Sequence, residues 1–194
     1  MPEPRARLVK LSGVSRRAAC LAALGTSLGL RAALPVPGEV AAELPGMRLL
    51  GSGRLTFFAM HIYDARLWVG AAFQPEAFSM FPLALELEYA RNLKGELIAE
   101  RSLKEMLRGA DMASERAQAW LAQMNKLFPD VTKNDRLTAV HRPGQALRFF
   151  LNGQLRGEVS DPAFAPAFLG IWLAPHTSEP KLRRALLAEN GPAS

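Results

Sequence analysis

Asn152-Gly153 stands between two short stretches rich in strand-forming residues, 145–151 (QALRFFL) and Gln154–Val159 (QLRGEV). A two-residue hairpin turn needs positive φ at both central positions, and Asn followed by Gly accepts it at little steric cost. The dipeptide therefore commits part of this chain to antiparallel pairing, which excludes an all-helical bundle and a purely parallel sheet. Further strands are expected around it. Leu83–Tyr89 (LALELEY) alternates without error, with Leu83, Leu85, Leu87 and Tyr89 on one face and Ala84, Glu86 and Glu88 on the other. That pattern predicts a half-buried strand with one wet face. The stretch 54–69 (RLTFFAMHIYDARLWV) is dense in aromatic and β-branched residues and reads as strand, split by a bend near Asp64-Ala65. Arg136–His141 leads through Arg142-Pro143-Gly144 into the hairpin.

Helical spacing occupies the intervals. Residues 95–108 place Leu97, Ile98, Leu103, Met106 and Leu107 at helical intervals. Ser114 is expected to cap a helix carrying Ala117, Trp120, Leu121, Met124, Leu127 and Phe128, stopped by Pro129. Asp161-Pro162 predicts another start, with Asp as cap and Pro at the first helical position, running through Phe164, Phe168 and Trp172. Ser178-Glu179-Pro180 caps a last helix over 181–188. Strands, helices, strands and helices in blocks predict an α+β fold, an antiparallel sheet with helices on one face.

The N-terminal segment reads as an address. Residues 1–17 are basic and polar, and 18–30 (AACLAALGTSLGL) are uncharged, too few and too weakly apolar to span a bilayer. With the small residues Val40-Ala41-Ala42 after them, these are the three parts of a secretory signal. Residues 1–42 are therefore expected to be an export signal and spacer, and 43–194 a single domain in the periplasm or another exported location. Ser15-Arg16-Arg17 resembles a twin-arginine signal but lacks its usual continuation, so both that route and ordinary Sec export stay open. Cys20, the chain's one cysteine, lies within the segment, so the expected mature domain has neither disulfide nor thiolate chemistry. Charge divides the same way: residues 1–42 carry six basic and two acidic side chains, leaving +2 of the total +6 for the rest. A nearly balanced body gives no electrostatic footprint for nucleic acid.

Residue types that carry chemistry are scarce. His61, His141 and His176 have no metal-ligand spacing, and no metal or cofactor is expected. His61 and Asp64, three apart in a strand, would face opposite sides. His141 and His176 adjoin turns and are expected at the surface. Gly51-Ser52-Gly53 lacks the Lys-Ser/Thr ending of a phosphate loop and reads as a strand irregularity. Ser160-Asp161 belongs to a helix cap, and Lys181, Arg183 and Arg184 form a solvated face. The aromatic set Phe57, Phe58, Phe149, Phe150, Phe164, Phe168 and Trp172 fills a core or lines an apolar cavity between sheet and helices. No autonomous catalytic constellation emerges.

Several segments in order resemble the chalcone isomerase-like family, in particular its bacterial exported branch. They are Gly51-Ser52-Gly53, 62–68 (IYDARLW), 102–106 (SLKEM), 128–131 (FPDV), 134–137 (NDRL), 149–153 (FFLNG), 161–164 (DPAF) and 168–173 (FLGIWL). The resemblance implies an antiparallel sheet backed by helices with a ligand cleft between them. It also implies one of two roles, a chalcone-cyclising isomerase or a non-catalytic relative of the kind that binds fatty acids. The isomerase residues do not carry over. The family's early Arg falls on Leu55, with Arg54 one residue before it; its Thr positions fall near Phe58 and Ile171. Lys104 falls at the Lys, and no Tyr or Asn is present in 95–108. The expectation is an exported, non-catalytic member that binds a fatty acid or similar apolar molecule, with Arg54, Tyr63 and Lys104 as polar contacts. The alternatives are an isomerase or lyase with a different residue set, and an envelope interaction protein whose cleft is filled by side chains.

Overall fold

The computed structural model describes residues 34–109 and 112–189. Most of the segment expected to direct export, including Arg16, Arg17 and Cys20, lies outside the described residues. Six strands form one sheet in sequence order, every neighbour antiparallel: β1 (Arg48–Phe57), β2 (Met60–Val69), β3 (Leu83–Tyr89), β4 (Arg136–His141), β5 (Leu147–Leu151) and β6 (Gln154–Val159). Helix α1 (Gly38–Glu43) precedes the sheet, α2 (Gly95–Met106) and α3 (Ser114–Leu127) join β3 to β4, and α4 (Phe164–Leu173) and α5 (Pro180–Leu186) follow β6. The α+β fold is the one expected from the sequence.

Alternation in the strands sends Leu67, Leu85, Leu87, Leu137 and Phe149 to the inner face, where they pack with Trp120, Met124, Phe164, Phe168 and Leu186 of the helices. Asn152 and Gly153 adopt φ of 49° and 83°, as the hairpin requires. The β1–β2 turn is placed differently from the expectation. It lies at Phe58-Ala59, both at positive φ (46° and 61°), and β2 runs straight through Asp64-Ala65. Nothing in a Phe-Ala pair announces such a turn, because neither residue relieves the clash of a left-handed backbone. Helix α4 starts at Phe164, two residues beyond the expected first helical position, while Asp161 Oδ1 accepts the Ala163 N–H at 2.9 Å.

The second face of the sheet is not wet around β3 and β4. Helix α1 lies on it, burying Val40 and Leu44 against Trp68, Ala84, Val140 and Phe150. The expected boundary between Ala42 and Glu43 thus falls inside α1. Polar groups on this face are paired: Glu86, 2% exposed, accepts hydrogen bonds from Arg66 Nη1 and Trp68 Nε1, each at 2.8 Å. Glu39 accepts one from Thr138 Oγ1 at 2.8 Å, and Glu43 pairs with Arg142 and Arg148. A carboxylate in mid-strand reads as solvent-facing, but here cross-strand arginines and α1 cover it.

His141 is likewise buried, 3% exposed, with Nε2 2.8 Å from the Ser79 carbonyl oxygen, whereas His176 is exposed. The Gly51 irregularity is a bulge with a packing reason. A Cβ at Gly51 would lie 2.2 and 2.4 Å from the carbonyl oxygens of Ala185 and Leu186, so only glycine lets α5 press on β1.

Candidate functional site

A cavity of about 290 Å³ lies between the inner face of the sheet and helices α2 and α4. That is the small end of the range for small-molecule sites. Strand alternation supplies most of its floor, Leu55 and Phe57 from β1, Tyr63 from β2, Leu87 and Tyr89 from β3 and Leu137 from β4, and the register shift opposite Leu55 and Thr56 adds Ile62 beside Tyr63. Its walls are Leu97, Ile98, Arg101, Ser102 and Glu105 of α2 and Phe168, Ile171 and Trp172 of α4, with Ser178 and Glu179 closing one side. Leu97 and Phe57 also reach the surface, each about half exposed, and mark the opening. Helix α2 is held in place at its start by Asp130, which accepts hydrogen bonds from the Gly95 N–H at 3.0 Å and Lys94 Nζ at 2.6 Å.

Polar groups are few and gathered. Trp172 Nε1 donates to Tyr63 Oη at 2.9 Å, and the Tyr63 ring stands edge-on to Tyr89 with centroids 6.0 Å apart. Tyr89 is 2% exposed and makes no side-chain hydrogen bond among the described residues. Burial pushes both phenols well above the ordinary tyrosine range; for Tyr63 it outweighs the Trp172 hydrogen bond, which acts in the opposite direction, and the Glu179 charge adds to it. Both therefore stay protonated at neutral pH, donors rather than bases. Arg101 Nη2 pairs with Glu105 Oε1 at 2.8 Å, and Glu105 is only 7% exposed. Ser102 Oγ is spent on the Ile98 carbonyl oxygen at 2.8 Å.

Of the three expected contacts, the fold brings Tyr63 to the cavity and places the other two elsewhere. Arg54 lies on the opposite face of β1 from Leu55, as a one-residue offset in a strand demands, and forms a paired hydrogen bond with Asp64 (2.8 and 3.2 Å). Burial disfavours ionised Asp64, yet the Arg54 hydrogen bond with the His61 and Arg54 charges outweighs it and holds the carboxyl below the usual range. His61 Nε2 comes within 3.2 Å of the same carboxylate, though without hydrogen-bond alignment. The two side chains share a side because a register shift between Leu55 and Thr56 intervenes, which simple strand alternation does not foresee. Lys104 lies on the outer side of α2 in a shallow hollow with Leu103, Leu107 and Leu121. Arg101, Glu105, Tyr89 and Glu179 were not expected in the site. The i, i+3, i+4 spacing of Ile98, Arg101, Ser102 and Glu105 was the available signal, masked by the more apolar Leu103, Met106 and Leu107. Of the aromatic set, Phe57, Phe168 and Trp172 line the cavity, Phe149 and Phe164 are core, Phe150 lies on the α1 face and Phe58 is exposed. No group of three or more His, Cys, Asp or Glu among the described residues is arranged to hold a metal.

Residues 32–188 match the family model described as chalcone isomerase-like. The chain belongs to that family. A Haemophilus influenzae protein, itself uncharacterized, is 30% identical over 140 residues, which span 72% of this chain and 67% of the relative. Among solved structures, the crystal structure of an Arabidopsis thaliana fatty-acid binding protein superposes with a TM-score of 0.57 at 14% identity. That superposition covers 75% of this chain and 88% of the plant protein. At such low identity the likeness establishes the shared fold. Leu55, on which the resemblance places the family's early Arg, lines the cavity.

Proposed function

We propose that this chain is an exported, non-catalytic chalcone isomerase-like protein that holds a fatty acid or similar apolar small molecule between its sheet and helices. The observation that carries the reading is the cavity itself: about 290 Å³, lined mainly by aliphatic and aromatic side chains, with protonated hydroxyls at one place and an opening past Leu97. An interaction protein with a cleft filled by aromatic side chains has no use for that space. The absence of catalysis is supported by the lining groups. A general base works best with a pKa near the working pH, and burial moves Tyr63 and Tyr89 away from it. Export is supported by the basic start and short apolar run of residues 1–30. Because Val40 is fully buried against the sheet, processing that preserves the fold cuts before Val36 and leaves α1 on the body.

The test is gentle native mass spectrometry of the processed protein purified from its own host. The expected result is a reproducible added mass that organic extraction identifies as an apolar molecule. A clean apo mass that persists after soaking with a panel of fatty acids and their esters would overturn the binding reading. The N-terminal residue found in the same spectrum tests the processing position.

A further inference from the structure

The charge arrangement in the cavity bears on which apolar molecule fits, granted the ligand-binding reading above. Arg101 is the one cation among the described lining residues, and its guanidinium is held by Glu105 at 2.8 Å. Glu105 is almost wholly buried and is approached at its other oxygen by Arg108 Nε at 3.6 Å, so each of its oxygens faces an arginine. Glu179 adds a second carboxylate to the lining. An incoming ligand carboxylate therefore meets a lining whose one cation is already balanced by Glu105, with the Glu179 carboxylate in excess. It would lose its hydration while facing Glu105 and Glu179, a burial that is strongly unfavourable without a partner.

The unspent groups are of the opposite kind. Tyr63 Oη already accepts the Trp172 N–H, so its own proton is free to be donated. Tyr89, 98% removed from solvent and lining the same space, has no side-chain hydrogen-bond partner among the described residues. Its hydroxyl therefore keeps hydrogen-bonding capacity for a group bound in that cavity. Two hydroxyl donors lining one space serve a neutral acceptor, while the Glu105 and Glu179 carboxylates weigh against an anionic one.

We infer that the cavity selects apolar molecules whose head is an uncharged carbonyl, ester or hydroxyl, received by the Tyr63 and Tyr89 hydroxyls, over the corresponding free carboxylates. The head lies beside Trp172 and the tail runs along Leu87, Leu137 and Phe168 toward the opening.

The experiment is displacement of an uncharged fluorescent probe, N-phenyl-1-naphthylamine, from the full chain by decanoate, methyl decanoate and decanol at about pH 8, where the acid is ionised. The ester and the alcohol are expected to displace the probe at concentrations about tenfold or more below decanoate. Tyr63→Phe should weaken the ester about five- to tenfold relative to the probe, the effect of one lost hydrogen bond. Glu105→Gln, which frees Arg101, should narrow the gap between acid and ester. Decanoate binding as tightly as its ester, or an ester indifferent to Tyr63→Phe, would overturn the head-group inference and leave the cavity reading standing. A probe that does not bind at all, with no competitor raising the melting temperature, would overturn both.

Discussion

Replacing Gly51 by alanine tests whether close approach of α5 to β1 is what requires glycine there. A Cβ at this position would sit 2.2 and 2.4 Å from two backbone carbonyl oxygens, against an ordinary C···O contact of about 3.3 Å. The overlap is about 1 Å, and no rotamer change relieves it because both partners are main chain. Helix α5 must lift. Leu182, Leu186 and Leu187 of that segment are 4%, 0% and 5% exposed, and their full burial contributes roughly 5–9 kcal/mol together. A gap of about 0.5–1 Å forfeits a quarter to a half of the contact energy, so the cost is about 1–5 kcal/mol. At this chain length that lowers the melting temperature by roughly 2–20 °C. Urea unfolding of the full chain followed by far-ultraviolet circular dichroism measures it. Gly38→Ala is the control, since a Cβ there meets nothing within 4 Å and alanine favours the helix. If Gly51→Ala fell within about 0.5 kcal/mol of the parent, the packing argument would be refuted.

The β1–β2 turn gives a prediction of the opposite sign. Phe58-Ala59 replaced by Asn-Gly should stabilise the chain by about 1–2 kcal/mol, because a left-handed backbone is relieved at two positions. The lost contact between the exposed Phe57 and Phe58 rings offsets little of that, and a lower urea midpoint would contradict the account. His141 gives a pH dependence. Burial pushes its imidazole below the ordinary histidine value against the opposing Ser79 hydrogen bond, so near pH 6 the unfolded chain binds a proton the folded one refuses. Its contribution is complete above about pH 6.5 and is lost as pH falls through that value toward the lower folded pKa. Denaturation midpoints between about pH 7 and pH 5 should fall more steeply for the parent than for His141→Gln, and equal slopes would sink the assignment.

Much of the inner half of the molecule was legible in the sequence, because its information is local. Asn152-Gly153 names its own turn, the Leu83–Tyr89 alternation names its inner face, and the spacing of Trp120, Met124 and Leu127 names the buried stripe of α3. The outer half was not legible, because what covers it comes from far away. Glu86 reads as wet until Arg66, Trp68 and α1 are placed over it, and a sequence pattern holds no record of those pairings. The site failed in the same way. Tyr63 was reachable from its place in an aromatic strand, but Arg101 and Glu105 matter through which side of α2 meets the sheet. The stronger apolar signal of Leu103, Met106 and Leu107 pointed to a different side, and the resemblance pointed to Lys104, which lies on the outer side of α2.

Helix α1 carries a consequence for the order of folding. Its polar anchors, Arg136, Thr138, Arg142 and Arg148, lie 97 to 105 residues further along the chain. Synthesis runs from the N-terminus, so α1 is among the first segments made and has no surface to dock on until β4 and β5 exist. Contacts at such separation close late, since the loop entropy must be met before they return anything. Until then Val40 and Leu44 are bare and the peptide bonds before them are open to any protease. The last step of folding therefore also sets how long the bonds near Val40 stay open to cleavage before they are sealed under the finished sheet.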